Sequence, residues 1–73
     1  MAMQIVMDWH GDTRHVFEPE DVEAVSKAEA RFKALICEGY TAAIRDAAGD
    51  VTLTRTFDPT AKETLFYPRL VGG

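Results

Sequence analysis

Between Glu18 and Gly39 the chain carries a single apolar stripe at helical spacing. Val22, Val25, Ala28, Phe32, Leu35 and Ile36 recur at steps of three and four, which places them on one face of a helix. Glu18-Pro19-Glu20-Asp21 supplies the start: proline suits a first helical turn, and carboxylates suit the positive end of the helix dipole. Gly39 supplies the stop as a left-handed cap, so the spacing predicts one helix from about Glu20 to Glu38. Glu23-Lys27 and Glu29-Lys33 are expected to form i,i+4 charge pairs on its solvent side. One amphipathic helix cannot bury its own stripe, so the rest of the chain must provide a second layer.

The flanking segments have the period-two pattern of strands. Met3, Ile5 and Met7 alternate with Gln4 and Asp8, a half-buried strand whose other parity is not wholly polar because it contains Val6. His10-Gly11-Asp12 is read as a turn, and Thr13 to Phe17 as the returning strand. After the helix, Tyr40, Ala42 and Ile44 alternate with Thr41, Ala43 and Arg45. Beyond the Ala48-Gly49-Asp50 turn, Val51, Leu53 and Phe57 alternate with threonines, and the misfit Arg55 predicts a sheet edge or bend. Asp58-Pro59-Thr60 breaks that strand, and Ala61 to Glu63 is read as a loose turn. Thr64 to Tyr67 is read as a fifth strand, ending where Pro68 removes a ladder donor. Leu65-Phe66-Tyr67 is apolar on both parities, as a strand in the middle of a sheet requires. The expected fold class is α+β, a mixed sheet of four to five strands crossed by one helix.

Seventy-three residues leave room for one small domain. Twelve acidic against eight basic side chains give a net charge of -4, which disfavours nucleic acid and anionic membrane as partners. One cysteine cannot make an internal disulfide, and Met1 to Met7 is too short an apolar run for a signal or membrane segment, so a cytoplasmic location is expected. A chain of this length seldom walls off a water-excluded pocket, so it is not expected to be an enzyme by itself.

In this element order, the residues resemble the ubiquitin and sulfur-carrier superfamily of β-grasp proteins over nearly the whole chain. Met3-Gln4-Ile5 with Gly11 and Thr13 is similar to the opening hairpin of ubiquitin, and Glu18-Pro19 with Asp21 to the start of its helix. Phe57-Asp58-Pro59, Glu63, Phe66, Tyr67, Pro68 and Gly72-Gly73 resemble the closing turn, strand and tail of the molybdopterin synthase small subunit and its thiazole-pathway relative. Arg69-Leu70-Val71-Gly72-Gly73 is close to the ubiquitin tail. The resemblance implies a β-grasp domain over residues 1–68 and a flexible diglycine tail over residues 69–73.

It also implies a chemistry. A carboxylate is a poor electrophile, and in this superfamily a partner activating enzyme adenylates it with Mg-ATP. The carrier contributes no catalytic side chain and binds no cofactor or metal. It contributes the carboxylate of Gly73 on a thread thin enough for a narrow channel, with Gly72 as spacer, since glycines let backbone approach walls and phosphates closely. Arg69, Leu70 and Val71 would form the stem, and Tyr67 and Pro68 the contact with a partner. The activated glycine can become a thiocarboxylate that delivers sulfur to an acceptor synthase subunit, or it can be joined to lysines of a conjugation target. A third reading is a plain interaction module whose glycines do nothing. The sulfur carrier ranks first, the modifier close behind it.

The remaining chemistry-bearing residues read as structural. Cys37, beside Leu35 and Ile36, is expected to be a packed thiol, since no histidine or basic group is spaced to activate it. His10 and His15 flank a turn with Asp8 and Asp12, but alternating strand geometry does not converge them on a metal. His15 shares parity with Phe17 and is expected to be half-buried and hydrogen-bonded. Trp9 fits an exposed anchor and a lid on the core equally well.

Overall fold

The computed structural model describes residues 1–68; residues 69–73, where the sequence predicts a flexible tail, lie outside the described residues. Five strands and one helix follow in the order β1 (Ala2–Asp8), β2 (Gly11–Phe17), α1 (Val22–Cys37), β3 (Thr41–Arg45), β4 (Val51–Thr54) and β5 (Glu63–Tyr67). They build one mixed sheet in the order β2-β1-β5-β3-β4. β1 and β5 run parallel, and the other three pairings are antiparallel.

The helix ends are built by the residues at its borders. Asp21 is the N-cap, its Oδ1 accepting from the N–H groups of Glu23 and Ala24 at 3.1 and 3.2 Å. Pro19 and Glu20 therefore make a turn before the helix and are not its first residues. At the other end Gly39 adopts φ +97°, Gly39 N–H donates to Ile36 and Tyr40 N–H to Leu35, both at 3.0 Å. Those two bonds are a Schellman cap, which needs the left-handed conformation only glycine adopts without strain. Val22, counted in the apolar stripe, is 81% exposed because it precedes the point where the helix meets the sheet. Neither Glu23-Lys27 nor Glu29-Lys33 forms an ion pair among the described residues.

The helix packs on the even-numbered face of β1, a choice between the two parities that the sequence pattern left open. Phe32 packs with Val6, Ala42 and Phe66, and Ala28 with Ala2 and Phe17. Between these clusters Gln4 is fully buried, and its amide is satisfied from the helix. Nε2 donates to the carbonyl of Ala28 at 3.0 Å, and Oε1 accepts from Arg31 Nη1 at 2.8 Å. Ala28, 0% exposed, has no side chain beyond Cβ, which lets the helix come close enough for this bond.

The turns correct three strand boundaries. The first hairpin turns at Trp9-His10, with Asp8 opposite Gly11 and Asp8 Oδ1 accepting from His10 N–H at 2.7 Å, so β2 starts two residues earlier than expected. β4 stops at Thr54, whose hydroxyl exchanges hydrogen bonds with the Thr56 backbone as the chain bends off the sheet at Arg55. That bend carries Phe57 back to the helix layer, with its ring 6.2 Å from Phe17 and 5.8 Å from Phe32. The turn after it is closed by Asp58, which accepts from both the N–H and the hydroxyl of Thr60, and β5 begins at Glu63.

Candidate functional site

β5 is the central strand because its core residues are apolar on both faces. Phe66 is 0% exposed on the helix side, and Leu65 is 1% exposed on the opposite face. In the register Leu65 lies between Ile5 of β1 and Ala43 of β3, both buried although no helix covers them. Around this patch the same face carries Met3 and Met7, both half-buried, and the exposed Val16, Val51 and Leu53. The sequence pattern on β1 had already assigned apolar residues to this parity, and they form an apolar sheet face that is buried at its centre and exposed at Val16, Val51 and Leu53.

Tyr67, the last residue of β5, belongs to this face by parity, is half-buried and pairs with Thr41. Pro68 follows it, half-buried, with no N–H to extend the ladder. Thr41 in turn lines an open groove of about 620 Å³ with Ile36, Gly39, Tyr40, Leu53 and Arg55, so a recess lies beside the end of β5. At the start of the strand Glu63 faces Arg45 across the register, Oε2 lying 3.2 Å from Nη1. The angle does not make that ion pair a hydrogen bond, and Oε2 has no hydrogen-bond partner among the described residues.

Of the residues singled out for tail chemistry, Tyr67 and Pro68 are therefore placed at the end of the central strand. Arg69, Leu70, Val71, Gly72 and Gly73 lie outside the described residues. Cys37 is exposed, which corrects the expectation of a packed thiol: the stripe turns away from it at Ile36. Trp9 is exposed at the hairpin turn, 80% of its surface open. His15 is half-buried on β2, and its pKa is lowered, first by burial and then by the positive charge of Arg31. The hydrogen bond expected for its ring is absent among the described residues. No group of three metal-ligating side chains converges among the described residues, and none of their helices is long and apolar enough to cross a membrane.

Sequence reasoning missed a cluster of basic residues where β2 meets α1: Arg14, His15, Lys27 and Arg31 line one groove. Lys27 and Arg31, like charges four residues apart on a helix, were the available signal, masked by assigning Lys27 to Glu23. No protein-family model matches the chain, and comparison with curated proteins and with solved structures found no significant match.

Proposed function

We propose that the chain is a small β-grasp carrier protein whose Gly73 carboxylate is adenylated by a partner activating enzyme and converted to a thiocarboxylate for sulfur transfer. The observation that supports it most is the place of β5. Held on both sides by β1 and β3, this strand hands the chain over at Tyr67-Pro68 from the middle of the sheet, beside an apolar sheet face and a recess. The next five residues end in Gly72-Gly73. The strand order β2-β1-β5-β3-β4 with one helix on one face supports the β-grasp reading.

In this reading the protein is a substrate and the chemistry belongs to its partner. A carboxylate oxygen of Gly73 attacks the α-phosphorus of Mg-ATP, pyrophosphate leaves, and a sulfur nucleophile displaces the nucleotide from the acyl carbon. The sheet face around Tyr67 positions the domain on the activating enzyme, and later on the sulfur-acceptor synthase subunit. Conjugation of Gly73 to lysines is the second reading, since it uses the same activated carboxylate.

The test is pyrophosphate exchange with the activating enzyme of the chain's own cells and Mg-ATP. Exchange is expected with the chain ending at Gly73 and is expected to vanish when one residue is appended. That addition moves the carboxylate by about 3.5 Å, more than the alignment needed for reacting atoms about 3–3.5 Å apart can absorb. An extended chain that works in its native pathway without processing would sink both the carrier and the modifier readings.

A further inference from the structure

β4 closes one edge of the sheet, and among the described residues no loop backbone bonds to its open side. The ladder identifies which groups face out. Asp46 N–H donates to the Asp50 carbonyl across the hairpin, and antiparallel bonding alternates from there, so Thr52 and Thr54 turn their N–H and C=O groups toward Ile44 and Ala42 of β3. Val51 and Leu53 therefore turn theirs outward. Their side chains stand beside Arg45 and Ala43 on the helix-free face, 48% and 71% exposed. The other edge, β2, carries Asp12 and Arg14, charges of the kind that deter strand addition, whereas β4 has neither a charge nor a proline. Its charges stand just outside the strand, Asp50 before it and Arg55 after it. Neither takes part in the ion pairs of the described residues, which join Met1 with Glu18 and Arg45 with Glu63.

We propose that β4 pairs antiparallel with β4 of a second copy about a two-fold axis at Thr52, joining the two sheets edge to edge. An axis perpendicular to the sheet reverses the strand direction and keeps both helices on one side, as a self-complementary pairing of identical edges requires. Val51 of each copy then lies opposite Leu53 of the other. These are the residues whose N–H and C=O groups point out, so each pair exchanges main-chain bonds while the β3 ladder is untouched. The same pairing sets exposed apolar side chains against each other on the helix-free face, and Thr52 against Thr52 on the opposite face. It also places Asp50 opposite Thr54 of the second copy, next to Arg55, so each acidic end meets a basic end. An axis at Leu53 would instead oppose Val51 to Arg55, where the chain has already bent off the sheet. This match of the strand with its own reverse favours a second copy over an unrelated strand. One short strand falls below the roughly 20–30 residues a side of a stable interface, so the dimer forms at high concentration. β3 separates β4 from β5, so the pairing is independent of the tail reading.

Sedimentation equilibrium of the full chain from micromolar to millimolar concentration should show a reversible monomer–dimer equilibrium. Over the same range the backbone amide shifts should be confined to residues 50–55, with the Val51 and Leu53 amides gaining protection from exchange and β2 silent. Leu53→Lys, at an exposed position, should weaken association by about tenfold or more, because it alters both Val51–Leu53 pairs at once. Val51→Pro removes a donor that the dimer uses and the β3 ladder does not, and should have the same effect with circular dichroism unchanged. Arg55→Glu should also weaken association, and adding Asp50→Arg should restore it, which a purely structural role for either residue would not produce. The proposal is overturned by a monomer at millimolar concentration, or by shifts centred on β2 or on Met3, Ile5 and Leu65. Full association of Leu53→Lys or Val51→Pro, or a charge swap that fails to restore the dimer, would overturn it as well.

Discussion

Replacing Gln4 by methionine keeps the length and most of the volume of a fully buried side chain while removing its amide. Two bonds disappear, one to the Ala28 carbonyl and one from Arg31. The carbonyl has a second lone pair for the helix, so its loss is one neutral hydrogen bond, about 0.5–1.5 kcal/mol. Arg31 is half-buried and can turn to water, which holds its loss near the low end of the roughly 1.5–3 kcal/mol of a bond to a charged group. Methionine recovers part of the sum as a buried apolar side chain. The expected cost is therefore about 1–3 kcal/mol, read as a lower urea midpoint in far-ultraviolet circular dichroism with an unchanged slope. Gln4→Glu sharpens the argument. Its carboxylate keeps the acceptor for Arg31 but sets an oxygen against the Ala28 carbonyl, which only the protonated carboxyl can bond. Where burial and the Ala28 carbonyl outweigh the pull of Arg31 toward the ionised form, the introduced group's pKa is raised on folding, and its contribution is present below the ordinary carboxyl range and lost as pH rises. Gln4→Glu should be more destabilised than Gln4→Met at neutral pH, and the difference should shrink on acidification. Stability of Gln4→Met within about 0.5 kcal/mol of the parent, the range of surface substitutions, would refute the helix-facing assignment of the even-numbered face.

Phe32→Ala removes a ring that is 3% exposed and packed edge-on against Phe57 and Phe66, and should cost about 3–5 kcal/mol. At about 0.05–0.15 kcal/mol of stability per residue, that loss leaves much of the chain unfolded in thermal scans, and a cost under about 1 kcal/mol would contradict the packing. Gly39→Ala forces a Cβ onto φ +97° and should lower stability by about 1–2 kcal/mol in the same urea assay. His15 has its pKa lowered from about 6.5 by burial first and by Arg31 second, so the unfolded chain takes up a proton more readily than the folded one. Its contribution is full above the ordinary histidine value and is lost as pH falls through the lowered one; His15→Asn should flatten the stability profile in that window. Asp58, held below its ordinary value first by the Thr60 hydroxyl, follows the same sign at lower pH.

The elements were legible in the sequence because their signals are local. The stripe from Val25 to Ile36, the Gly39 cap and the two-sided apolar run Leu65-Phe66 identify helix, stop and central strand within a few residues each. Burial was less legible where it depends on a distant partner. Gln4 reads as a surface residue until Ala28 and Arg31, 24 and 27 positions away, provide its bonds. Phe57 reads as the end of a strand, yet it joins the core because Thr54 bends the chain. Cys37 sits one position past the buried stripe, a rotation that apolar neighbours in sequence do not reveal. The basic groove is assembled from two elements, each of whose charges looks like an ordinary solvated face. Of the candidate tail site, the structure describes Tyr67 and Pro68; the chemistry assigned to Gly72 and Gly73 rests on the residues and their resemblance.

The central claim, that the carboxylate of Gly73 is the reacting group, is tested most directly by the intact mass of the protein isolated from its native cells. The carrier reading predicts a chain that ends at Gly73, with a fraction in which one terminal oxygen is replaced by sulfur and which is lost on alkylation or mild hydrolysis. A ladder of larger adducts through the same residue would move the assignment to the modifier. A chain that runs on past Gly73, or one that carries only an unmodified carboxylate while its pathway is active, would contradict the account.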